Sequence, residues 1–332
     1  MTHNRKTLNT GFNTYAVEEG RSILINRMRE MFLLKGFAVS ETELGGYPSF
    51  DLIARKEERR FIVKILQNIE TFRESSAVEL IRLANLVTAS PFVVGDRASS
   101  GKLEPGVVYY RHSVPILSSE TLSQYLDGDG LFISSGPGGY YVSIDGHKLR
   151  SARERLGYSI GYLSNRVGVS RRSISLYESG SAVSVDIFLK LEEMLDCDLR
   201  KFLNLTEVCN NLQARGVEES MDDFFREVFE IMSGRGFEMQ GVKRTPFDAV
   251  AKERIEDVFL VGLLEDIAVK NERVRAIRHL ADIFGNQSFV ISKNSTTKEN
   301  YGGCPVLNMS EIKEAADGSD INRLIEKRKS VA

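Results

Sequence analysis

In 332 residues the chain has only three cysteines, Cys197, Cys209 and Cys304, and four histidines, His3, His112, His147 and His279. Three widely separated cysteines suggest neither a disulfide framework nor a zinc site, and the histidines have no metal-ligand spacing. No stretch approaches the roughly 20 apolar residues that span a bilayer. The opening, MTHNRKTLNTGFNTYAVEEG, lacks the apolar core of a secretion signal. The glycine-rich SSGPGG reads as a turn, since no Lys-Ser or Lys-Thr follows it to hold a phosphate. Asp127 and Asp129 lack the later ligands of a calcium loop. The expectation is a cytoplasmic protein with no membrane contact, bound metal or cofactor. What is present is a 42% hydrophobic chain, long enough for two or three packed domains.

Acidic residues are scarce in one place. Residues 148–180 hold seven basic side chains (Lys148, Arg150, Arg153, Arg155, Arg166, Arg171, Arg172) against Glu154 and Glu178. The remainder of the chain holds 37 basic and 44 acidic residues. A basic segment inside an acidic protein is an electrostatic footprint for nucleic acid, because the phosphate term dominates such affinities.

The same segment, KLRSARERLGYSIGYLSNRVGVSRRSISLYESG, has the pattern of a helix-turn-helix. Leu149, Ala152 and Leu156 repeat at helical spacing and Gly157 stops the first helix. Ser159 caps a second helix with Leu163 and Val167 inward, and Gly168 supplies a left-handed turn with Val169 plugging the corner. Ser170 caps a third helix whose Ile174 and Tyr177 face the core, leaving Arg171, Arg172, Ser173, Ser175 and Leu176 on or near its free face. SVDIFLKLEEMLDCDL supplies a fourth, with Ser184 as cap and Val185, Phe188, Leu191 and Leu195 as its buried stripe. Over about residues 148–203 this order resembles the DNA-binding domain of the phage lambda repressor and Cro family. The resemblance implies a reading helix in the major groove, with Ser159, Arg166, Ser170, Arg171, Arg172, Ser173, Ser175 and Leu176 as the DNA-binding residues. One departure is that many members carry a phosphate-contacting Gln after the second cap, where this chain has Ile160 and Gly161.

The flanking segments read as copies of one another. Phe50-Asp51 answers Phe247-Asp248, Leu83-Ala84 answers Leu280-Ala281 and Phe92-Val93 answers Phe289-Val290, each at a step of 197. Each copy reads as a helix, two or three strands, a helix, a strand and a short strand-helix. For the first copy that places a helix at about 18–35, strands near 37–42, 50–56 and 60–66, then SAVELIRLANLVTA and PFVVG. Residues 130–146 read as a β-hairpin around a Gly/Pro turn.

An Asp at one strand and a Lys on the next resembles the restriction-endonuclease-like nucleases. Their chemistry needs an Asp, then an Asp or Glu two residues before a Lys, so that two carboxylates hold a divalent metal and the Lys activates water. Asp51 and Lys64 are in place, but the middle position is Ile62. In the second copy Asp248 remains and the other positions hold Leu260 and Gly262. Both sets are broken, which predicts degenerate domains with no catalytic residues, and a backbone-bonding role for Asp51 and Asp248.

Taken whole, the chain resembles a family of archaeal transcriptional regulators. The carrying residues are FDLIARKEERRFIVKIL, the segment 139–146 before the helix-turn-helix, and LKLEEML after it. The expected fold class is mixed α/β and multidomain, a central all-α bundle of the lambda-repressor type between two duplicated α/β nuclease-like domains. The expected division is 1–127 (first nuclease-like domain), 128–147 (hairpin linker), 148–205 (helix-turn-helix) and 206–332 (second copy). The expected activity is sequence-specific regulation of transcription, without enzyme activity, by a homodimer on double-stranded DNA; an effector, small molecule or protein, is left open. Two rivals remain: a nuclease in which Glu41, Glu43 or Glu70 replaces the missing acid, and a bridging factor that binds other transcription proteins.

Overall fold

The computed structural model describes residues 9–41, 49–205, 222–253, 257–265 and 271–329. His3, Glu43 and Cys209 lie outside them. In chain order the elements are α1 (Asn9–Leu34), β1 (Ala38–Val39), β2 (Leu52–Lys56), β3 (Arg59–Asn68), α2 (Glu74–Leu86), β4 (Ser90–Ala98), β5 (Gly101–Lys102), β6 (Val107–Arg111), β7 (Val114–Leu117) and α3 (Ser119–Asp127). Next come β8 (Ile133–Gly136), β9 (Gly139–Val142), α4 (Gly146–Arg155), α5 (Ile160–Val167), α6 (Arg171–Glu178), β10 (Val183–Ser184) and α7 (Val185–Leu195). The last part holds α8 (Asp223–Gly234), β11 (Glu238–Gly241), β12 (Ala249–Lys252), β13 (Val258–Leu264), α9 (Asn271–Phe284), β14 (Gln287–Ser292), β15 (Asn300–Tyr301), β16 (Cys304–Asn308), α10 (Met309–Glu314) and α11 (Gly318–Lys329).

These elements gather into two compact units. One comprises Met1–Ile65, Glu74–Pro91 and Cys209–Ala332; the other comprises Leu66–Arg73 and Phe92–Val208. The first unit contains the antiparallel ladder β1–β2–β3, with Leu52 opposite Val63 and Ile53 opposite Ile62. It also contains a six-stranded sheet in the order β11–β12–β13–β14–β16–β15. There β13, β14 and β16 run parallel and read VFLVGLL, QSFVIS and CPVLN. Such nearly continuous apolar strands suit a sheet buried on both faces. Phe224, Val228 and Met232 of α8 and Ile321 and Ile325 of α11 pack with Phe237, Phe259 and Phe289 in one core. Phe32, Phe37 and Phe61 form the matching aromatic cluster beside α1, with centroids 5.3 to 6.3 Å apart. Buried in this sheet, the Cys304 thiol is pushed up to about 11 by desolvation, which leaves almost no nucleophilic thiolate at neutral pH.

Within this unit the two halves meet directly. Helix α9 packs on β2 as well as on β13 and β14. The Ser49 hydroxyl donates to the Lys243 carbonyl at 3.1 Å, and the Glu41 amide donates to His279 Nε2 at 3.4 Å.

The second unit contains β4 with β7 parallel to it, β6 antiparallel to β7, and then β8, β9 and β10. The expected hairpin is there as β8–β9, and its inner residues Val142 and Ile144 belong to the same core as Leu149, Leu163, Ile174 and Leu191. Residues 148–205 are not purely helical, because Val183 and Ser184 pair with Val142 and Tyr141. Among the described residues no helix is long and apolar enough to cross a membrane.

Candidate nucleic-acid interface and the nuclease-like centres

Helices α4, α5 and α6 form because each carries its own capped start. Asp145 accepts from the His147 and Lys148 amides at the head of α4, Ser159 from Tyr162 at the head of α5, and Ser170 from Ser173 at the head of α6. Each cap satisfies donors that the first helical turn leaves open. Gly168 ends α5 in the left-handed conformation, φ 82°, that the sharp turn into α6 requires. Ser184 stands at the head of α7 but makes no side-chain capping bond.

The inward residues are Leu149, Ala152, Leu163, Val167, Ile174, Phe188, Leu191 and Leu195, with Val169, Tyr177 and Val185 packed against them. Leu156 departs from the periodic reading: it is the C-cap residue just after α4 and 41% exposed. Arg153, by contrast, is buried, its side chain 9% exposed. Arg153 Nε donates to Glu178 Oε1 at 2.5 Å and Nη2 to Oε2 at 3.3 Å, while Nη1 donates to the Tyr158 carbonyl at 2.9 Å. This bidentate pair ties α4 to the last turn of α6, and the Glu178 carboxylate raises the Arg153 guanidinium above its ordinary range.

With Glu178 turned inward, the outer face of α6 carries no carboxylate. Arg171 and Arg172 stand exposed on its first turn, Ser175 and Leu176 are exposed one turn on, and Ser173 is half-buried. The Ser170 and Ser173 hydroxyls lie 2.8 Å apart, and Ser175 Oγ donates to the Arg171 carbonyl. Ser159 and Arg166 are exposed at opposite ends of α5. All eight residues singled out from the sequence thus lie on α5, α6 or their caps. Tyr162, 45% exposed on α5 and 4.7 Å from the Tyr158 ring, was not among them. An aromatic residue in an amphipathic helix gives no sequence signal that separates surface from core.

The Asp51–Lys64 pair expected of a nuclease-like centre lies at the β2–β3 ladder. Asp51 Oδ2 accepts from the Ile65 amide at 2.7 Å, the backbone role expected for it. Lys64 Nζ is 3.2 Å from the same oxygen, and Ile62 occupies the position of the second acid, fully buried. Burial pushes the Lys64 ammonium below its ordinary range, Asp51 opposes this, and the Arg21 charge adds to it. Arg21, from α1, donates Nη2 to Asp51 Oδ1. The carboxylate, 5% exposed, thus has both the Lys64 ammonium and the Arg21 guanidinium beside it.

Asp248, in the C-terminal half, has a similar arrangement with another arginine. Asp248 Oδ2 accepts from the Leu263 amide at 2.7 Å, and Arg273 Nη2 of α9 is 2.5 Å from Oδ1. Gly262 precedes Leu263 as Lys64 precedes Ile65, and a Cβ there would lie 2.6 Å from Ile277 Cδ1, because α9 packs directly on β13. Among the described residues no group of three or more His, Cys, Asp or Glu is placed to hold a metal ion. Of the alternative acids, Glu70 is paired with Arg111 at 2.5 Å.

Comparison with known proteins gives two family-model matches. Residues 21–131 match the model of the PD-(D/E)XK superfamily domain, and residues 149–202 match a helix-turn-helix model. No solved structure matches. A protein of Picrophilus torridus is 41% identical over 93% of this chain and 98% of its own length. Relatives from Thermoplasma volcanium and Methanocaldococcus jannaschii are 39% and 33% identical, over 94% and 91% of this chain and 99% and 95% of theirs. Each of the three carries the name "Putative HTH-type transcriptional regulatory protein". With identity of this level running almost end to end, the chain belongs to this family of archaeal HTH-type transcriptional regulatory proteins.

Proposed function

We propose that this protein regulates transcription in the cytoplasm by binding duplex DNA sequence-specifically, with α6 in the major groove. The observation that carries the reading is the outer face of α6, where two arginines stand on the first turn and the only carboxylate of the helix is turned inward to Arg153. Side chains on the first turn of a reading helix reach base edges, and arginine pairs bidentately with guanine. Ser159, Arg166, Ser170, Ser173 and Ser175 supply further polar contacts, and Leu176 an apolar one suited to a thymine methyl. Selection of bound sequences from a random duplex pool tests this. A single enriched motif is expected, and an unenriched pool would favour the rival reading as a factor that bridges other proteins.

The flanking halves are read as duplicated nuclease-like folds that have lost catalysis. The order β11–β12–β13 has its counterpart in β1–β2–β3, and β14–β16–β15 in β4–β7–β6. Both copies hold an Asp bonded to a backbone amide and covered by a guanidinium. Hydrolysis in such centres needs paired negative charge to partly dehydrate Mg²⁺. Purified protein with Mg²⁺ or Mn²⁺ is therefore expected to leave duplex, branched and single-stranded DNA intact; cleavage abolished by Asp51→Ala would restore the nuclease reading. The contacts between Ser49 and Lys243 and between Glu41 and His279 favour pairing of the copies within one chain, so that a homodimer on a two-fold DNA site forms through other surfaces.

A further inference from the structure

We infer that the neighbouring residues Arg171 and Arg172 have different jobs, Arg171 clamping the phosphate backbone from a seat on α5 and Arg172 reading a base. The inference rests on the proposal that α6 enters the groove, and refines it to single residues.

The seat is Gly161. Its position in the first turn of α5 is ordinary helix, so nothing about the backbone conformation calls for glycine, a poorer helix former than alanine. What glycine provides is room. A Cβ there would lie 3.0 Å from Arg171 Nε, 3.0 Å from Nη2 and 3.1 Å from Cζ, tighter than side chains ordinarily approach. The guanidinium of Arg171 therefore lies against the bare backbone of the helix that precedes the reading helix. Among the described residues no side chain hydrogen-bonds or ion-pairs with this guanidinium, which leaves it donors for a phosphate.

Position then sets the role. In a helix-turn-helix the first helix crosses the sugar-phosphate backbone while the N-terminal residues of the second contact base edges. A guanidinium seated on α5 travels with the helix at the phosphates. Arg172 is one residue further along, turned about 100° around α6 by the 3.6-residue period, and so leaves the surface of α5. Phosphate contacts add affinity without sequence information, and base-edge contacts supply the preference.

The test uses the full-length protein and two duplexes, the selected sequence and a scrambled one, titrated across salt concentration. Arg171→Ala is expected to weaken both duplexes by the same factor, about tenfold, to lower the slope of log affinity against log salt by about one, and to leave base preference unchanged. Arg172→Ala is expected to weaken only the selected duplex and relax preference at one base pair. Gly161→Ala, which displaces an exposed and flexible side chain, is expected to reproduce a weaker form of the Arg171→Ala effect and to add nothing once Arg171 is alanine. The division is overturned if Arg171→Ala alters base preference, or if Gly161→Ala is silent in the otherwise unchanged protein. Failure of the underlying reading gives a different result: neither arginine affects either duplex.

Discussion

At the scale of single residues, the side chain that matters most for the geometry of the reading helix is not on its outer face. Arg153 and Glu178 form an ion pair buried to about a tenth exposure on each side, and it fixes the last turn of α6 against α4. Removing one partner of such a pair leaves an uncompensated buried charge, a cost of roughly 3 to 5 kcal/mol. Glu178→Gln is therefore expected to destabilise the protein by about 3 kcal/mol in denaturant unfolding and to weaken DNA binding with Arg171 and Arg172 untouched. A loss below about 0.5 kcal/mol, the range of ordinary surface changes, contradicts the clamp. Periodicity reads Leu149 and Ala152 correctly and misplaces Leu156, because it counts apolar residues and cannot see that a charged one is buried when its partner lies 25 residues away. Arg21 and Arg273 are hidden for the same reason. Asp51 and Lys64 are legible as a motif and Ile62 as its defect, whereas the guanidinium that covers Asp51 comes from 30 residues upstream.

At the scale of elements, the C-terminal helix α11 is held by another buried arginine. Arg328 Nη2 and Nη1 bond to Glu311 at 2.6 and 2.8 Å, and Nη1 also donates to the Val306 carbonyl at 2.6 Å. Hydrogen bonding to Arg328 holds the Glu311 carboxyl below its ordinary range. A carboxylate depressed in the folded state contributes stability that is fully present above its unfolded pKa of about 4.3 and is lost as pH falls through the folded value. Glu311→Gln should lower stability at pH 7 by about 2 kcal/mol, the scale of a charged hydrogen bond, and the gap from the unchanged protein should narrow below pH 4. A gap that stays constant from pH 7 to pH 3 contradicts this account. Element existence is legible along most of the chain, since strands such as VFLVGLL and helices with side-chain caps announce themselves locally. The two-residue strand β10 is not legible, because only pairing with β9 makes it a strand. The start of α1 at Asn9, well before the apolar stripe, is likewise beyond a reading of periodicity.

At the scale of the whole molecule, a basic reading surface is carried by a chain of net charge −2. A chain with 37 basic and 44 acidic residues outside the helix-turn-helix segment gains little from nonspecific attraction to DNA, so affinity has to come from the reading domain itself. One reading helix buries a small interface, and two placed about 34 Å apart on one face of the duplex give the usual gain. Sedimentation on a selected duplex is expected to give two chains per DNA; a single 37.3 kDa chain per duplex at micromolar concentration contradicts the homodimer. The most direct test of the account is the ratio of affinities for the selected duplex and a scrambled duplex, measured on the intact protein at physiological salt. The prediction is a ratio of at least about 1,000, the lower range for specific recognition, falling steeply in Arg172→Ala. Equal affinity for the two duplexes, unchanged by Arg172→Ala, contradicts it.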